Sequence, residues 1–289
     1  MKHYSEVMLL TKQVHSDELR CWLDWHLNVI KFDHVVLFDN ESPINVQEII
    51  SNYPHDKIEY HLIKGYPDQN KLYNDHIKES NSEWSIALDD DEFLYIRDEL
   101  TVNDLIKIIS RDYHKYNKFY VLWVNLFSKD FIEKRNDLFI NTHTYYSYEV
   151  FKHVKWSDNG FGKCFINTGQ YEYYYDYYKR AHIPWCLNGN DRTLLAYGND
   201  YRYYSCITYD HHVNLLNRSK PCDLCFIAHY QFKSNEDWIL KCNRGLADNQ
   251  YNFIKGFTDK YSDIYRHSEL FKELSRVKDR WQEYVRSKS

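Results

Sequence analysis

Trp84-Ser85-Ile86-Ala87-Leu88-Asp89-Asp90-Asp91-Glu92-Phe93-Leu94 is an apolar run that stops on four consecutive acids and then turns apolar again. Trp84 to Leu88 reads as a buried strand. Three adjacent aspartates at its end repel one another, and the crowding is costly without a cation. Oxygen ligands are what Mg2+ and Mn2+ prefer, and a diphosphate can complete their shell. The competing reading is a solvated acidic turn. The apolar flanks, Trp84–Leu88 and Phe93-Leu94-Tyr95, count against it.

Strand and helix patterns alternate on both sides of this run. Val7-Met8-Leu9-Leu10 reads as a buried strand. Asp17 to Lys31 reads as a helix with Leu19, Trp22, Leu23, Leu27 and Ile30 on one face. His34–Phe38 is a second strand, Val46–Asn52 a short helix, Ile58–Ile63 a third strand and Lys71–Glu79 a polar helix. Beyond the acids, Thr101 to Asp104 resembles a capping box opening a helix through Ile109, and Phe119–Leu126 is a further strand. Such alternation predicts an α/β fold, a mostly parallel sheet flanked by helices. After Lys129 short strands and loops dominate, an irregular α+β half. The chain then closes on a charged amphipathic helix, Glu269–Val285, with Leu270, Phe271, Leu274, Val277, Trp281 and Val285 on its apolar face. There is no repeat and no Pro/Gly/Ser linker, so residues 1–289 are expected to form one domain.

Composition narrows the function. Among 289 residues 43% are hydrophobic and 27% charged, which supports a packed core. The net charge of −5 and the absence of a basic stripe argue against a nucleic-acid partner. No run of 18 apolar residues exists, so no membrane span is predicted. Met1-Lys2-His3-Tyr4 leads into a strand without a signal-peptide core. The expectation is a cytoplasmic protein, with at most peripheral membrane association and reduced thiols. The 28 tyrosines offer flat faces with polar tips, which suit sugar stacking, although compositional bias explains them equally well.

In an open parallel sheet, ligands sit beyond the carboxyl ends of the strands. Two acidic groups fall there: Asp39-Asn40-Glu41-Ser42 after the second strand and Asp89–Glu92 after the fourth. Trp84–Leu94 resembles the W-x-x-x-x-D-x-D-E-F-L segment of GT-A-fold (Rossmann-related) glycosyltransferases of the family 2 and family 92 group. Leu19, Trp22, Trp25 and His26, then Asp33, His34, Phe38, Asp39, Asn40 and Ser42, are similar to a further block of that group. Gln69 and Asn74 in DQNKLYND are similar to its Q-x-x-x-Y-N element. His229-Tyr230-Gln231-Phe232-Lys233-Ser234 resembles H-Y-x-x-K-S.

That resemblance implies a nucleotide-sugar donor, a UDP-sugar first, and a glycan or glycoconjugate acceptor. It implies Mn2+ or Mg2+ as cofactor and inversion at the anomeric carbon. Asp91 would bind the metal, and Asp89 the metal or the donor's ribose. Asp39, Gln69 and Asn74 would meet the donor. Residues 1–130 would form the donor half and 131–289 the acceptor half. The chain departs from the group at Lys12-Gln13-Val14, where Lys-Asn-Glu is usual, and at Trp123–Ser128, which lacks the usual glycine.

Other candidates rest on chemistry alone. His229 could complete the metal site or bond the diphosphate, or be a satisfied interior histidine. Lys233 suits a diphosphate, whose charge grows in the transition state, but a surface lysine is as reasonable. An inverting transferase needs a carboxylate base. Asp158, in the glycine-bearing run Trp156–Lys163, is the one named, with Asp191 and Glu236 behind it; a turn aspartate is the alternative. His182, before Ile183-Pro184-Trp185, also reads as a turn or core residue. Cys222-x-x-Cys225 lacks the second pair a structural zinc usually has, so buried thiols are expected. Two rival functions remain at this level: a metal-dependent phosphohydrolase, since clustered aspartates also serve those, and a non-enzymatic carbohydrate-binding protein.

Overall fold

A computed structural model describes residues 3–112, 118–128, 134, 137–145, 162–169, 193–195, 225–230, 233–234, 236–237, 240 and 271–288. The elements, in chain order, begin with β1 (His3–Thr11), α1 (Ser16–Asp24), β2 (His34–Asp39), α2 (Val46–Ile50), β3 (Ile58–Leu62) and α3 (Gln69–Glu79). They continue with β4 (Ser82–Ala87), β5 (Glu92–Ile96), α4 (Val102–Asp112), β6 (Lys118–Asn125), β7 (Phe127–Ser128), α5 (Phe139–Thr142) and β8 (His143–Tyr145). The last are β9 (Gly162–Asn167), β10 (Thr193–Leu195), β11 (Cys225–His229) and α6 (Phe271–Lys288). The main sheet runs β3-β2-β1-β4-β9-β6-β11-β5, with β10 on β6.

The sheet is mixed and mostly parallel, flanked by helices. β1, β2, β3 and β4 are mutually parallel where they pair, and β10 is parallel to β6. β9 runs antiparallel to β4 and to β6. Register pairs Met8 with Val36 on one side and Ala87 on the other. Strand alternation therefore gathers Met8, Val36, Phe38, Ala87 and Ile166 on one face, where Tyr73 and Ile77 of α3 close over them. The opposite face takes α4: Ser5 Oγ donates to Asn103 Oδ1 at 2.7 Å, and Val102, Leu105, Ile106 and Ile109 are fully buried at helical spacing. Each such side chain contributes about 1.5–3 kcal/mol by leaving water. The predicted capping box is present. Thr101 N–H and Oγ1 donate to Asp104 Oδ2 at 3.1 and 2.6 Å, and Asp104 N–H returns to Thr101 Oγ1 at 3.2 Å.

The helix expected over 17–31 is not continuous. It is α-helical to Asp24, then opens into a π-helical turn over Trp25–Val29, and Lys31 takes a left-handed φ of 65°. The inserted residue lets Trp22, Trp25 and His26 all face the same partner. Trp25 Nε1 donates to Leu94 O at 2.8 Å, and Trp22 O accepts from His26 Nδ1 at 2.9 Å. Such turns recur near functional sites.

Two compact units are distinguished along the chain. One holds 1–123 and 160–227, the other 124–159 and 228–289. In the second, β7 pairs antiparallel with β8, and the Phe139 and Tyr230 rings lie 4.7 Å apart. Val277 and Trp281 of α6 are buried as its pattern predicts, while Val285 is exposed in the last turn.

Candidate functional site

Because β1, β2 and β4 are parallel, their carboxyl ends lie along one edge of the sheet. Those ends are Thr11, Asp39 and the turn after Ala87. The turn closes by Glu92 N–H donating to Asp89 O at 3.0 Å, an ordinary β-turn bond. Glu92 Oε2 accepts from Asp89 N–H at 2.9 Å, and Trp22 Nε1 donates to the carbonyls of Asp89 and Glu92 at 3.0 and 3.1 Å. The α1 tryptophan thus clamps both ends of the turn, which gives the Leu19–His26 block a physical task.

The cation that three crowded acids require is partly supplied by the chain itself. Lys163, in the middle of β9, is 1% exposed, with Nζ 3.0 Å from Asp89 Oδ2 and 3.5 Å from Glu92 Oε2. Burial pulls its ammonium down, but Asp89 and Glu92 outweigh that and hold it above its ordinary value. Glu92 goes the other way. Burial pushes its carboxyl well above the usual range; Lys163 opposes this, and Asp89 and Asp91 reinforce it. Its Oε1 is buried without a hydrogen-bond partner. Lys163, the last residue of the glycine-bearing run Trp156–Lys163, is a strand residue beside the acidic turn, and the apolar residues Cys164-Phe165-Ile166 that follow it are the available signal.

Asp89 is held from the other side by Gln69, whose Nε2 donates to Asp89 Oδ1 at 3.3 Å and to Tyr73 Oη at 3.2 Å. Gln69 is therefore brought to the acidic turn. Asn74 Nδ2 donates to Asn70 O at 2.8 Å, within α3. Asp91 is buried. The strand ends at Ala87, and Asp90 Oδ2 accepts from Thr11 Oγ1 at 2.9 Å and Gln13 Nε2 at 3.4 Å. Gln13, where the resemblance breaks down, is buried, and its N–H donates to Ser42 Oγ at 2.8 Å.

Asp39 is also buried. It accepts from Ser42 N–H and from Tyr60 Oη, each at 2.9 Å. Burial, then the Asp39 hydrogen bond and charge, push the Tyr60 phenol up to about 12. Asn40 Nδ2 donates to Ile63 O and Gly65 O at 3.2 and 2.8 Å, and Gly65 takes a φ of 75° that suits glycine. Much of the Asp39–Ser42 block thus shapes the loop.

The donor set of the acidic turn is all oxygen, which fits Mg2+ or Mn2+. Among the described residues the turn does not by itself assemble three ligand atoms within 4.8 Å of one another. The remaining ligands would have to be phosphate or water oxygens. His229 and Lys233 belong to the second unit. There Leu126 N–H donates to His229 O at 2.9 Å, His143 Nε2 donates to Lys233 O at 2.7 Å, and Lys233 Nζ sits 4.5 Å over the Phe139 ring. Asp158, His182, Asp191 and Cys222 lie outside the described residues. Glu236 is exposed. Cys225 is a buried free thiol whose pKa is raised by burial. No described helix is long and apolar enough to cross a membrane.

No protein-family model matches the chain, and no curated protein does. Among solved structures it is similar to S. aureus TarS 1–349, with 17% identity and a TM-score of 0.36 over 57% of this chain and 47% of that one. The same protein has been crystallised with UDP-GlcNAc, and that structure matches at 16% identity and a TM-score of 0.33, over 57% of this chain and 46% of that one. The chain thus spans about half the length of these fragments. It is also similar to 4-diphosphocytidyl-2C-methyl-D-erythritol synthase from Anaerococcus prevotii, with 14% identity and a TM-score of 0.35 over 75% of this chain and 97% of that one. At such scores neither likeness carries an inference about activity.

Proposed function

We propose that this chain is a metal-dependent, inverting glycosyltransferase that passes a sugar from a nucleotide-sugar donor, a UDP-sugar first, to a hydroxyl of a glycan acceptor. The observation that carries the reading is the acidic turn: Asp89 to Glu92 held by Trp22, Gln69 and Lys163 at the carboxyl end of a parallel strand, along the edge that also ends in Asp39. An anchored cluster of anions at that edge is a place for a cationic or cation-bridged ligand. Asp91 and Asp89 would hold the Mn2+ or Mg2+ that neutralises the diphosphate leaving group. Asp39, Gln69 and Asn74 are assigned to the donor, Lys233 and His229 to its diphosphate or metal, and Asp158 to the acceptor hydroxyl as base. In this reading the transferase is cytoplasmic.

Asp91→Asn tests it. The change keeps shape and removes a charge a divalent cation needs. Turnover and Mn2+-dependent UDP binding should fall by orders of magnitude, while stability in chelator holds or rises because one crowded carboxylate is gone. Asp90→Asn, which keeps an acceptor for Thr11, should retain most activity. Equal loss at both positions would place the metal register elsewhere. Failure of UDP and GDP to raise the melting temperature with Mn2+ present would remove the nucleotide-sugar reading itself.

A further inference from the structure

We propose that Glu59, His61 and His76 form a second cation site, for a divalent transition metal of the Zn2+ type, at the outer edge of the sheet away from the acidic turn. β3 is the terminal strand of the sheet. Glu59 and His61 are two apart in it and so share a face. His76, near the end of α3, comes down on the same face. One ligand atom from each of the three lies within 4.8 Å of the other two, and His61 Nε2 is 2.5 Å from Glu59 Oε1. A zinc ion at about 2.0–2.1 Å from nitrogen and oxygen needs side-chain adjustments of an ångström or so to sit among them.

Two features suit the site to a metal rather than to a chance ion pair. The first is ring placement. Phe38, the register partner of His61, stacks on the His61 ring at 5.1 Å and meets the His76 ring edge-on at 5.8 Å, so one phenyl group orients both imidazoles. The second is an outer carboxylate. His76 Nε2 lies 3.2 Å from Oε1 of the buried Glu6, whose other contacts include Ser80 and Ser82. A carboxylate on one ring nitrogen fixes the proton there and leaves the other lone pair for a metal, the arrangement found behind metal-binding histidines. Two imidazoles and one carboxylate select Zn2+, Ni2+ or Cu2+ over Mg2+ and Mn2+. The exposure of His61 and Glu59, 40% and 44%, leaves a fourth position open to water. A bound ion would pin β3 to α3, the helix whose first residue, Gln69, reaches Asp89.

The test titrates the full chain with ZnCl2 in excess Mg2+, which occupies all-oxygen sites, and repeats the titration with Co2+ as a spectroscopic probe. A single Zn2+ per chain is expected, together with the strong visible bands of four-coordinate Co2+. His61→Ala and Glu59→Gln, both at half-exposed positions, should weaken Zn2+ about tenfold or more. They should also abolish the Co2+ bands. Asp91→Asn should leave both unchanged, which separates this site from the acidic turn. No binding by the natural chain, binding by His61→Ala equal to it, or loss of binding in Asp91→Asn would each overturn the proposal.

Discussion

Glu6 and Glu92 are both buried, at 2% and 0% exposure, in the same unit, and they are driven in opposite directions. Burial pushes the Glu6 carboxyl up, but hydrogen bonds from His34, His76 and Ser85 and the charge on His76 outweigh it and hold it well below the usual range. Ser80 and Ser82 add further donors. Glu92 has Asp89 N–H and a lysine shared with Asp89, and one of its oxygens has no partner. Burial alone therefore does not decide the state of a carboxylate; the supply of donors does. A donor-saturated carboxylate is a structural anchor. A buried carboxylate short of donors, such as Glu92, is driven toward its neutral form.

Removing the lysine is the strongest way to break this contrast. Lys163→Met keeps length and leaves two carboxylates without their cation. Losing one member of a buried pair costs about 3–5 kcal/mol, and because the Asp89 side chain is 30% exposed the lower end is expected. Urea denaturation in EDTA should show a loss of about 3 kcal/mol. Mn2+ should restore more stability to the variant than it adds to the natural chain, since it replaces the missing charge. A change within about 0.5 kcal/mol would mean that Asp89 is solvated and the pairing is incidental.

What was legible in the sequence follows the same division. β1 to β4 and the helices between them were readable because a buried apolar run and a helical stripe are local patterns. Asp89 and Asp91 stood out as acids that follow a buried apolar run, whereas Gln69 was named only through its resemblance to the Q-x-x-x-Y-N element. Lys163 was not readable, because its burial is decided by Asp89, 74 residues earlier, and a lysine beside glycines reads as a loop. The π-helical turn was hidden because Leu19, Trp22, Leu23, Leu27 and Ile30 already make a continuous helical stripe, while Trp25 meets its partners Leu94 and Phe93 only in the folded chain.

Glu6→Gln probes the other member of the pair. It places an amide among donors already aimed at two oxygens, and should cost about 1–3 kcal/mol near neutral pH. The pH signature is more specific. A carboxyl lowered on folding stabilises above its ordinary value near 4.5 and loses that contribution as pH falls through the folded value, because the unfolded chain binds the proton first. His26, lowered to about 3 chiefly by burial, adds an acid-labile slope that begins higher, near 6.5. In EDTA, the stability of Glu6→Gln should still decline between roughly pH 6.5 and 4.5 but flatten below that relative to the natural chain. Parallel curves through the acid range would show that Glu6 is not held as an anion.

Glu92→Gln gives the smallest effect, and it decides which acid carries the charge opposite Lys163. A carboxyl raised on folding keeps its proton after the unfolded chain has lost it. Its contribution is therefore fully present below the ordinary value near 4.5 and declines as pH rises toward the folded value. Glutamine is close in shape, still accepts from Asp89 N–H, and cannot ionise. In EDTA at acid pH the variant should match the natural chain or lose a few tenths of a kcal/mol. By neutral pH it should be equal or more stable, by up to about 1 kcal/mol, because the natural chain alone carries the cost of an acid whose charged form is disfavoured. The crossing of the two curves is the diagnostic feature, since a simple packing defect would shift the variant by the same amount at every pH. If Glu92→Gln instead loses as much as Lys163→Met at neutral pH, Glu92 is the charged partner of the lysine. Asp89 would then be the acid left without a dedicated cation, and its own Asn variant should show the crossing in place of Glu92.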